Sequence, residues 1–389
     1  MKVVVPAETV PGERRVAVLP ELAGLLIRAG LDLAVQSGAG AASLAPDAAY
    51  LEVGATVLGS LDAGEVDVLL HVRPLSPAVV GKLRPGAVTV GFCSPSTELE
   101  TVRALRDARV TSFAMELVPR ISRAQSMDAL SSQALVAGYR CVLEAAIRLP
   151  RFFPLFMTAA GTVPPAKVLV LGAGVAGLQA IATAKRLGAV VSAYDVRPAS
   201  ADEVRSVGAA FVQLDLAALE GVGGYAREMT EERAARQREL LTPYVSESDV
   251  LITTAAVPGR RAPLLVTQAM LAGMKPGSVV VDLAAETGGN VEGSQPGEDV
   301  VLALPAGAGE AAGAAGAITL VGMKDAASRM PADASRLYAK NVANLVLLMT
   351  KDGEVLPDFD DEVVAGCCLT HDGAVRHQPT AALLEGAAS

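Results

Sequence analysis

The first 120 residues alternate short apolar runs with longer segments in which apolar residues recur at helical spacing. The runs MKVVVPA, LDLAVQSG, VDVLLHV and AVTVGFC predict strands, and LPELAGLLIRAG predicts a helix that ends at a glycine. Because strands interleaved with helices usually pair in parallel, this region of the chain predicts a mostly parallel sheet.

A second α/β pattern begins after a long helical stretch at about 127–149, which Pro150 and the FFP segment end. GTVPPA then predicts a turn-rich hinge, and KVLVLGAGVAGLQ opens the new pattern. Further strands are predicted at AAFVQL, DVLITTA and SVVVDLA, and a last helix at SRLYAKNVANLVLLMT. About forty turn-rich, polar residues follow.

The two long helices bracket the second α/β pattern, so the simplest architecture inserts one domain into the other. We predict an α/β fold of two Rossmann-like domains with parallel sheets and a cleft between them. Residues 1–128 and 330–389 would form the first domain, and residues 129–329 the inserted one.

Two glycine-rich stretches predict loops. EGVGGYAREMTEERAARQREL, between Leu219 and Leu241, predicts a mobile loop that leads into a solvated helix, although a plain surface loop and helix fit equally well. The stretch 300–323 is nearly uncharged but contains Pro305, Glu310 and many glycines. We therefore expect a Gly/Ala loop followed by the strand AITLVGM there, and not a membrane span.

Composition narrows the functional classes. Hydrophobic residues make up 51% of the chain and charged residues 19%, which is typical of a compact, Ala-rich α/β protein. The net charge of −9 argues against nucleic-acid or anionic-membrane binding, because either needs a basic face. The four cysteines form no CxxC pair and there are three histidines, so we expect no metal site and a reducing compartment. We expect no secretion signal, because the N-terminal stretch has neither a long apolar core nor a cleavage signal.

Gly172, Gly174 and Gly177 form a GxGxxG between an apolar strand at 168–171 and a helix at 175–187. In this context the glycines permit a tight turn, close approach of a pyrophosphate, and close packing of the helix on the strand. The helix N-terminus offers free N–H groups and partial positive charge to the phosphates. The inserted domain is therefore predicted to bind a dinucleotide.

Asp195 follows the next predicted strand, eighteen residues after Gly177. A carboxylate at this place accepts hydrogen bonds from the adenosine ribose and repels a 2′-phosphate, which favours NAD(H) over NADP(H). Arg197 is an opposing feature, because a nearby arginine tolerates that phosphate.

The segment PRISRAQSMDALSSQA, at 119–134, is dense in polar residues directly before the long helix. Ser122 and Gln125 fit a capping box, which would place Asp128 in the first helical turn. This interpretation leaves Arg120 and Arg123 unexplained.

Several long segments resemble the NAD(H)-binding component of the proton-translocating NAD(P) transhydrogenases, within the alanine dehydrogenase/transhydrogenase superfamily. They are MELVPRISRAQSMDALSSQALVAGYR, AAGTVPPAKVLVLGAGVAGLQAIATAKRLGAVVSAYDVRP, GGYAREM, DLAAETGGN and SRLYAKN. The resemblance covers nearly the whole chain and is weakest after about residue 350. It implies hydride exchange between NAD(H) and NADP(H), coupled to proton movement across a membrane. It also implies two partners, an NADP(H)-binding component and a membrane component.

The resemblance further implies a set of site residues. Those in the loop beside the nicotinamide match the signature residues Arg120, Gln125 and Asp128, together with Ile121, Ser122, Arg123 and Ser131. The other NAD contacts match the glycine turn and Val175, the run Asp195, Val196 and Arg197, then Gly224, the mobile-loop tyrosine Tyr225, Gln237 and Ala256.

Hydride transfer needs donor and acceptor carbons about 3–3.5 Å apart and aligned. No side chain has to move a proton in that step, so the protein supplies orientation and excludes water. We expect Gln125 to reach toward the nicotinamide ribose of the partner's cofactor, and Asp128 and Arg120 to pair and fix the loop.

An alanine-dehydrogenase-like enzyme is the main alternative, because that family shares the two-domain plan. It binds a keto acid with an arginine near the N-terminus, which Arg15 matches, and uses a lysine and a histidine in its cleft. Here HVRPLS, with His71 and Arg73, stands at the lysine position, GFCSPS lacks the histidine, and Glu286 replaces an aspartate. Without that pair, protonation of a substrate carbonyl is hard to support.

A non-catalytic NAD(H)-sensing module is a second alternative, but it would not need the Arg/Gln/Asp loop. The transhydrogenase interpretation predicts a peripheral cytoplasmic subunit on the inner face of the cell membrane, with the membrane component on a separate chain. NADP(H) would be held by the partner subunit, and the family suggests a homodimer.

Overall fold

The computed structural model describes residues 1–216, 230–257, 259–305 and 316–386. Contacts group the chain into two compact units, the first formed by Met1–Gln133 and Ala327–Ser389 and the second by Ala134–Ala326. Residues 220–229 and 306–315 of the two glycine-rich stretches lie outside the described residues, and these include Gly224 and Tyr225.

The strands, in chain order, are β1 (Lys2–Val5), β2 (Asp32–Gln36), β3 (Thr56–Leu58), β4 (Val68–Leu70), β5 (Val88–Gly91), β6 (Thr111–Ala114), β7 (Phe156–Thr158), β8 (Gly161–Val163), β9 (Lys167–Leu171), β10 (Val190–Tyr194), β11 (Ala210–Phe211), β12 (Val250–Thr253), β13 (Val279–Asp282), β14 (Asp299–Ala303), β15 (Ala317–Gly322), β16 (Thr350–Lys351), β17 (Glu354–Val355), β18 (Cys368–His371) and β19 (Ala374–Val375).

The α-helices are α1 (Pro20–Arg28), α2 (Asp47–Glu52), α3 (Pro77–Val80), α4 (Leu99–Asp107), α5 (Ala129–Arg148), α6 (Val175–Arg186), α7 (Ser200–Ser206), α8 (Glu231–Glu247), α9 (Gln268–Leu271), α10 (Pro331–Leu348), α11 (Glu362–Cys367) and α12 (Gln378–Gly386). Short 3₁₀ turns occur at Ala41–Ser43, Ala63–Glu65, Met115–Leu117, Ser122–Met127 and Ala285–Thr287. Among the described residues, no helix combines the length and the apolar content that a bilayer span requires.

The first unit is built on a sheet in the order β19-β18-β6-β5-β4-β1-β2-β3. Strands β1 to β6 pair in parallel, as the alternating pattern predicts. At one edge, however, β18 runs antiparallel to β6, and β19 antiparallel to β18. The predicted α/β class is confirmed, but the sheet is mixed and not purely parallel.

The C-terminal forty residues contribute to this sheet, so the prediction of a turn-rich, polar segment is wrong for their middle portion. Cys368, Leu369 and Thr370 of β18 are buried, because they pair with β6 and are covered on both sides. Just before β18, Asp361 caps α11 by accepting from the N–H groups of Val363 and Val364. The segment therefore extends the sheet and packs on its core.

Helix α10 is joined to the first sheet by polar bonds as well as by apolar packing. Tyr338 and Val342 lie in the same buried cluster as β1 and β4 side chains. The Tyr338 hydroxyl donates to the carbonyl of His71 at 2.8 Å, and the Ser335 hydroxyl accepts from the N–H of Val16 at 3.0 Å. Because an unpaired buried polar group costs about 1–3 kcal/mol, these bonds determine which face of α10 turns inward.

The second unit is built on a sheet in the order β11-β10-β9-β12-β13-β15-β14, parallel except for β14 against β15. Side chains of β9 alternate between two apolar layers. Val168 and Val170 pack with residues of α5 and α6, whereas Leu169 and Leu171 pack with residues of α8. Burial on both faces explains the continuous apolar run KVLVL.

Candidate functional site

The glycine turn between β9 and α6 lies where the strands of the second sheet end. Gly172 has a φ of 99°, and a Cβ there would lie 2.7 Å from Thr254 Oγ1. A Cβ on Gly177 would lie 1.8 Å from the carbonyl oxygen of Gly172. Both positions therefore require glycine, the first for the turn and the second for close packing of α6.

Gly174 has a different role, because a Cβ there would meet nothing within 4 Å. It is the N-cap of α6, and no side chain caps that helix end. The first N–H groups of a helix have no partner inside the helix, and the helix dipole adds partial positive charge. The open space and the uncapped N-terminus thus fit the pyrophosphate of a dinucleotide.

Asp195 follows β10 and connects directly to this turn. Its Oδ2 accepts from the N–H of Ala173 at 2.7 Å, and its Oδ1 accepts from the N–H of Arg197 at 2.9 Å. Arg197 also pairs with the same carboxylate through its guanidinium, at 2.9 Å. This hydrogen bond raises the pKa of Arg197. The charge of Asp195 is therefore partly neutralised, which weakens its repulsion of a 2′-phosphate.

Three further predicted contacts lie near this turn. Val196 is half-buried and packs against the apolar layer beside α8. Ala256 is exposed in the segment after β12, whose Thr254 hydroxyl donates to the carbonyl of Gly172 at 3.0 Å. Gln237 is only 2% exposed and accepts from the Tyr194 hydroxyl at 3.4 Å. It therefore contacts the last residue of β10 from within the core of the unit.

The polar loop of the first unit does not form the predicted capping box. Ser122–Met127 is a 3₁₀ turn whose N-cap is Ile121, without a side-chain cap bond. The helix α5 starts only at Ala129. Asp128 provides its cap, because the carboxylate accepts from the N–H of Ser131 at 2.8 Å and from its hydroxyl at 2.6 Å. Asp128 therefore precedes the first helical turn and does not lie within it.

Arg123, which sequence reasoning left unexplained, holds the loop to the C-terminal segment. Its guanidinium donates to both carboxylate oxygens of Asp361 at 2.8 Å, and also to Glu362 at 3.2 Å. The bidentate bond from Arg123 lowers the pKa of Asp361 to about 2. A direct contact of Arg123 with the cofactor stays a prediction.

The other end of the loop is held by α10, through residues that sequence reasoning missed. Asn341 and Asn344 both donate to the carbonyl of Ser126, at 2.9 and 3.1 Å. Asn341 also accepts from the Ser132 hydroxyl at 2.7 Å. The sequence did contain a signal for this contact, because two asparagines stand three positions apart on a largely apolar helix. The loop is thereby fixed on both sides, and Gln125 and Arg120 remain exposed.

Arg15, the arginine of the dehydrogenase alternative, is bonded within the first unit. Its guanidinium donates to Glu13 at 2.7 Å and to Gln133 at 2.8 Å. Glu13 also accepts from Arg73 and from the Ser328 hydroxyl, both at 2.7 Å, and its side chain is 0% exposed. Burial opposes ionisation of Glu13, but the bonds and charge of Arg15 outweigh it and lower the pKa to about 2.

Sequence reasoning compared His71 and Glu286 with catalytic positions of the dehydrogenases. In the structure both side chains make hydrogen bonds to neighbouring backbone groups. Burial lowers the pKa of His71 to about 4, which keeps it neutral near pH 7. Its Nδ1 lies 2.7 Å from the carbonyl oxygen of Arg73. Glu286 accepts from the N–H of Asp325 at 3.0 Å. His71 is therefore not a charged proton donor at neutral pH.

Two family models match this chain. The N-terminal domain model of alanine dehydrogenase/PNT matches residues 4–137, and the C-terminal domain model matches residues 141–378. An NAD(P) transhydrogenase alpha subunit of Rhodospirillum rubrum is 45% identical over 389 residues, which covers 97% of this chain and 98% of that protein. Alanine dehydrogenase of Mycobacterium tuberculosis is 34% identical over 301 residues, which covers 76% of each protein.

Solved structures agree with the family models. A transhydrogenase from Sinorhizobium meliloti superimposes with a TM-score of 0.82 at 44% identity, covering 97% of this chain and all 100% of that one. An L-alanine dehydrogenase superimposes with a TM-score of 0.80 at 23% identity over 99% of both chains, which shows the shared fold alone.

We predict that Glu13→Gln destabilises the first unit and changes its response to acid. The substitution removes the carboxylate that pairs with the buried Arg15 guanidinium, which costs about 3–5 kcal/mol near neutral pH. In the wild type the pKa of Glu13 is about 2, below its ordinary 4.5, so its contribution is present above pH 4.5 and is lost as pH falls toward 2. The difference between the two proteins should therefore shrink over that range.

Denaturant unfolding at a series of pH values measures this difference. Glu65→Gln is the control, because that carboxylate is 69% exposed and pairs with Lys2 at the surface. A difference between wild type and Glu13→Gln that stays constant from neutral pH to pH 2 would contradict the prediction.

Proposed function

The chain belongs to the alanine dehydrogenase/PNT family, and we propose that within it this protein is the NAD(H)-binding subunit of a proton-translocating NAD(P) transhydrogenase. The observation that carries the proposal is the anchored polar loop of the first unit, which keeps Gln125 exposed on a fixed backbone. The 45% identity to a transhydrogenase subunit, against 34% to an alanine dehydrogenase, points the same way.

The chemistry of hydride exchange suits this set of residues. When bound, the nicotinamide supplies a hydrogen with two electrons to a second nicotinamide, and no proton is exchanged with the protein. The chain has to bind, orient and exclude water. An exposed glutamine on a fixed loop is suited to orientation, because it can both donate and accept a hydrogen bond without changing charge.

Asp195 and the glycine turn support a preference for NAD(H). The carboxylate lies at the strand end where ribose hydroxyls are bound in this type of turn. The pairing of Arg197 with Asp195 makes this preference smaller than an isolated carboxylate would give, so we propose a bias and not exclusion of NADP(H).

Further subunits follow from the proposed reaction. A separate subunit would hold NADP(H), and a membrane component would move the protons, with this chain at the inner face of the membrane. The name NAD(P) transhydrogenase subunit alpha, borne by relatives of this chain, supports an assembly of several subunits.

We also propose that the chain forms a homodimer through the β7–β8 hairpin. The hairpin is a separate two-stranded sheet, and such a sheet is marginal in water unless it is covered. Phe152 is 57%, Leu155 51% and Met157 77% exposed, although all three are apolar. At the base of the hairpin lies a pocket of about 470 Å³ lined by Leu149, Pro150, Arg151, Phe152 and Val163.

The pocket is a hollow at the base of the hairpin, and Val163 of β8 contributes to its lining. A two-fold axis brings the same patch of two copies together, so each hairpin can fill the hollow of the other copy. Clustered exposed apolar side chains of this kind mark interaction surfaces. The occupant we propose is therefore a second copy of this chain.

We predict that the isolated wild-type chain binds NADH at least about tenfold more tightly than NADPH, a difference of about 1.4 kcal/mol. Asp195→Asn should reduce this ratio, because the neutral amide no longer repels a 2′-phosphate and no longer neutralises the charge of Arg197. Calorimetric titration measures both affinities, and Asp202→Asn, on the exposed face of α7, is the control. Equal or tighter NADPH binding, or turnover of alanine with NAD⁺, would refute the proposed function and favour the dehydrogenase alternative.

Gln125→Ala is expected to slow hydride exchange by about 100-fold, since small errors in orientation carry penalties of this size. The NADH affinity should change by less than about threefold, because we expect the glycine turn, and not Gln125, to bind the phosphates. The measurement is stopped-flow exchange in the presence of the NADP(H)-binding subunit, with Gln378→Ala, another exposed glutamine, as the control. A loss of rate that merely matches a loss of NADH affinity would remove the proposed role of Gln125.

Met157→Asp should convert the homodimer to a monomer, because it places a charge on each copy in an apolar contact. Sedimentation equilibrium measures the mass directly. Val301→Asp is the matched control, since Val301 is 69% exposed on the edge strand β14 and belongs neither to the hairpin nor to the lining of the pocket. A monomeric wild type, or a dimeric Met157→Asp variant, would exclude the hairpin as the interface.

A further inference from the structure

The segment that follows β12 forms one side of the glycine turn. Thr254 donates its hydroxyl to the carbonyl of Gly172, and its N–H bonds to the carbonyl of Leu171 at 2.9 Å. The N–H of Ala255 lies 3.1 Å from the place where a Cβ on Gly172 would be. The position of the Ala255 peptide therefore sets the width of the turn on this side.

Asn290 holds the backbone of Ala255 on both sides of its Cα, through the two polar groups of the carboxamide. The side-chain Oδ1 accepts from the N–H of Ala255 at 3.0 Å, and Nδ2 donates to the carbonyl of Ala255 at 2.8 Å. Nδ2 also donates to the carbonyl of Pro263 at 2.8 Å, which closes the loop that begins at Ala255. The carboxamide thus pairs with the N–H and the carbonyl of Ala255, as the backbone of a neighbouring strand would in a sheet.

Asp282, at the end of β13, fixes Asn290 in turn. Its Oδ2 accepts from the N–H groups of Asn290 and Val291, at 3.0 and 3.2 Å. Its Oδ1 accepts from the hydroxyl of Thr253 and from the N–H of Ala284, both at 3.0 Å. Asp282 and Asn290 are both 0% exposed, so the four bonds and the carboxamide form one buried network.

We propose that Asn290 is a positioning residue for the dinucleotide, acting through Ala255 on the glycine turn, with Asp282 as its support. Because Asn290 is fully buried, it reaches the cofactor only through the backbone that it holds. Loss of the carboxamide would release the Ala255 peptide and widen the side of the turn that faces Ala256. This inference rests on the proposed binding of NAD(H) by this unit.

The test compares the NADH affinity of Asn290→Ala and Asn290→Asp with that of the wild type, by calorimetry well below the unfolding temperature. Asn290→Asp keeps the shape and one acceptor but replaces the donor to Ala255 and Pro263 with a second acceptor. We expect the dissociation constant for NADH to rise by about tenfold or more in both variants, the size of effect produced by one displaced buried contact. Asn290→Asp conserves volume but buries a carboxylate that faces two carbonyl oxygens close to Asp282. Asn290→Ser, which is neutral and smaller, is therefore the variant that keeps the test valid where the other two do not fold.

Val142→Ala separates positioning from general stability, because Val142 is equally buried but lies on α5, in the apolar layer shared with α6. The thermal midpoint of Val142→Ala should fall, while its NADH affinity should stay within about twofold of the wild type, a margin near 0.4 kcal/mol. If the Asn290 variants lose no more affinity than Val142→Ala, Asn290 is structural only and the inference is overturned. If the wild type itself binds no NADH, the proposed function fails and this inference fails with it.

Discussion

Gly172 has a φ of 99°, and Thr254 leaves no room for a Cβ beside it. Two neighbouring segments of the second unit are bonded to this turn. Asp195 reaches the turn by accepting from Ala173, and Thr254 bonds to the carbonyl of Gly172 itself. Gly177 lets α6 approach until its first turn lies against the same carbonyl. A small error in this turn would therefore displace the helix N-terminus and the Asp195 carboxylate together.

The polar loop of the first unit has little regular structure of its own, so its conformation depends on bonds to other parts of that unit. A 3₁₀ turn of six residues is a weak element by itself. Its stability comes from the salt bridge between Arg123 and Asp361 and from the two asparagines of α10 that bond to Ser126. Gln125 can consequently be exposed and still well placed, which is the combination that an orienting residue needs.

The features that sequence reasoning predicted are those in which neighbouring residues decide the structure. The strand, the glycine turn and the helix at 168–187 are local, and so is the carboxylate that follows β10. The capping box at Ser122 failed because Asp128, six residues later, is the better placed acceptor for the N–H groups of α5. Strand β18 and the bonds of Asn290 to Ala255 depend on residues that are distant in sequence, and a local pattern does not contain that information.

The first unit is assembled from the two ends of the chain, and this has a consequence for biosynthesis. Its core helix α10 and its edge strand β18 are made only after the whole of the second unit. The second unit is continuous in sequence, so all its strands are available before translation is complete. During translation, strands β1 to β6 therefore exist before β18, which pairs with β6, and before α10, which covers their core. Their apolar surface is exposed to chaperones and to aggregation for the time taken to synthesise everything in between.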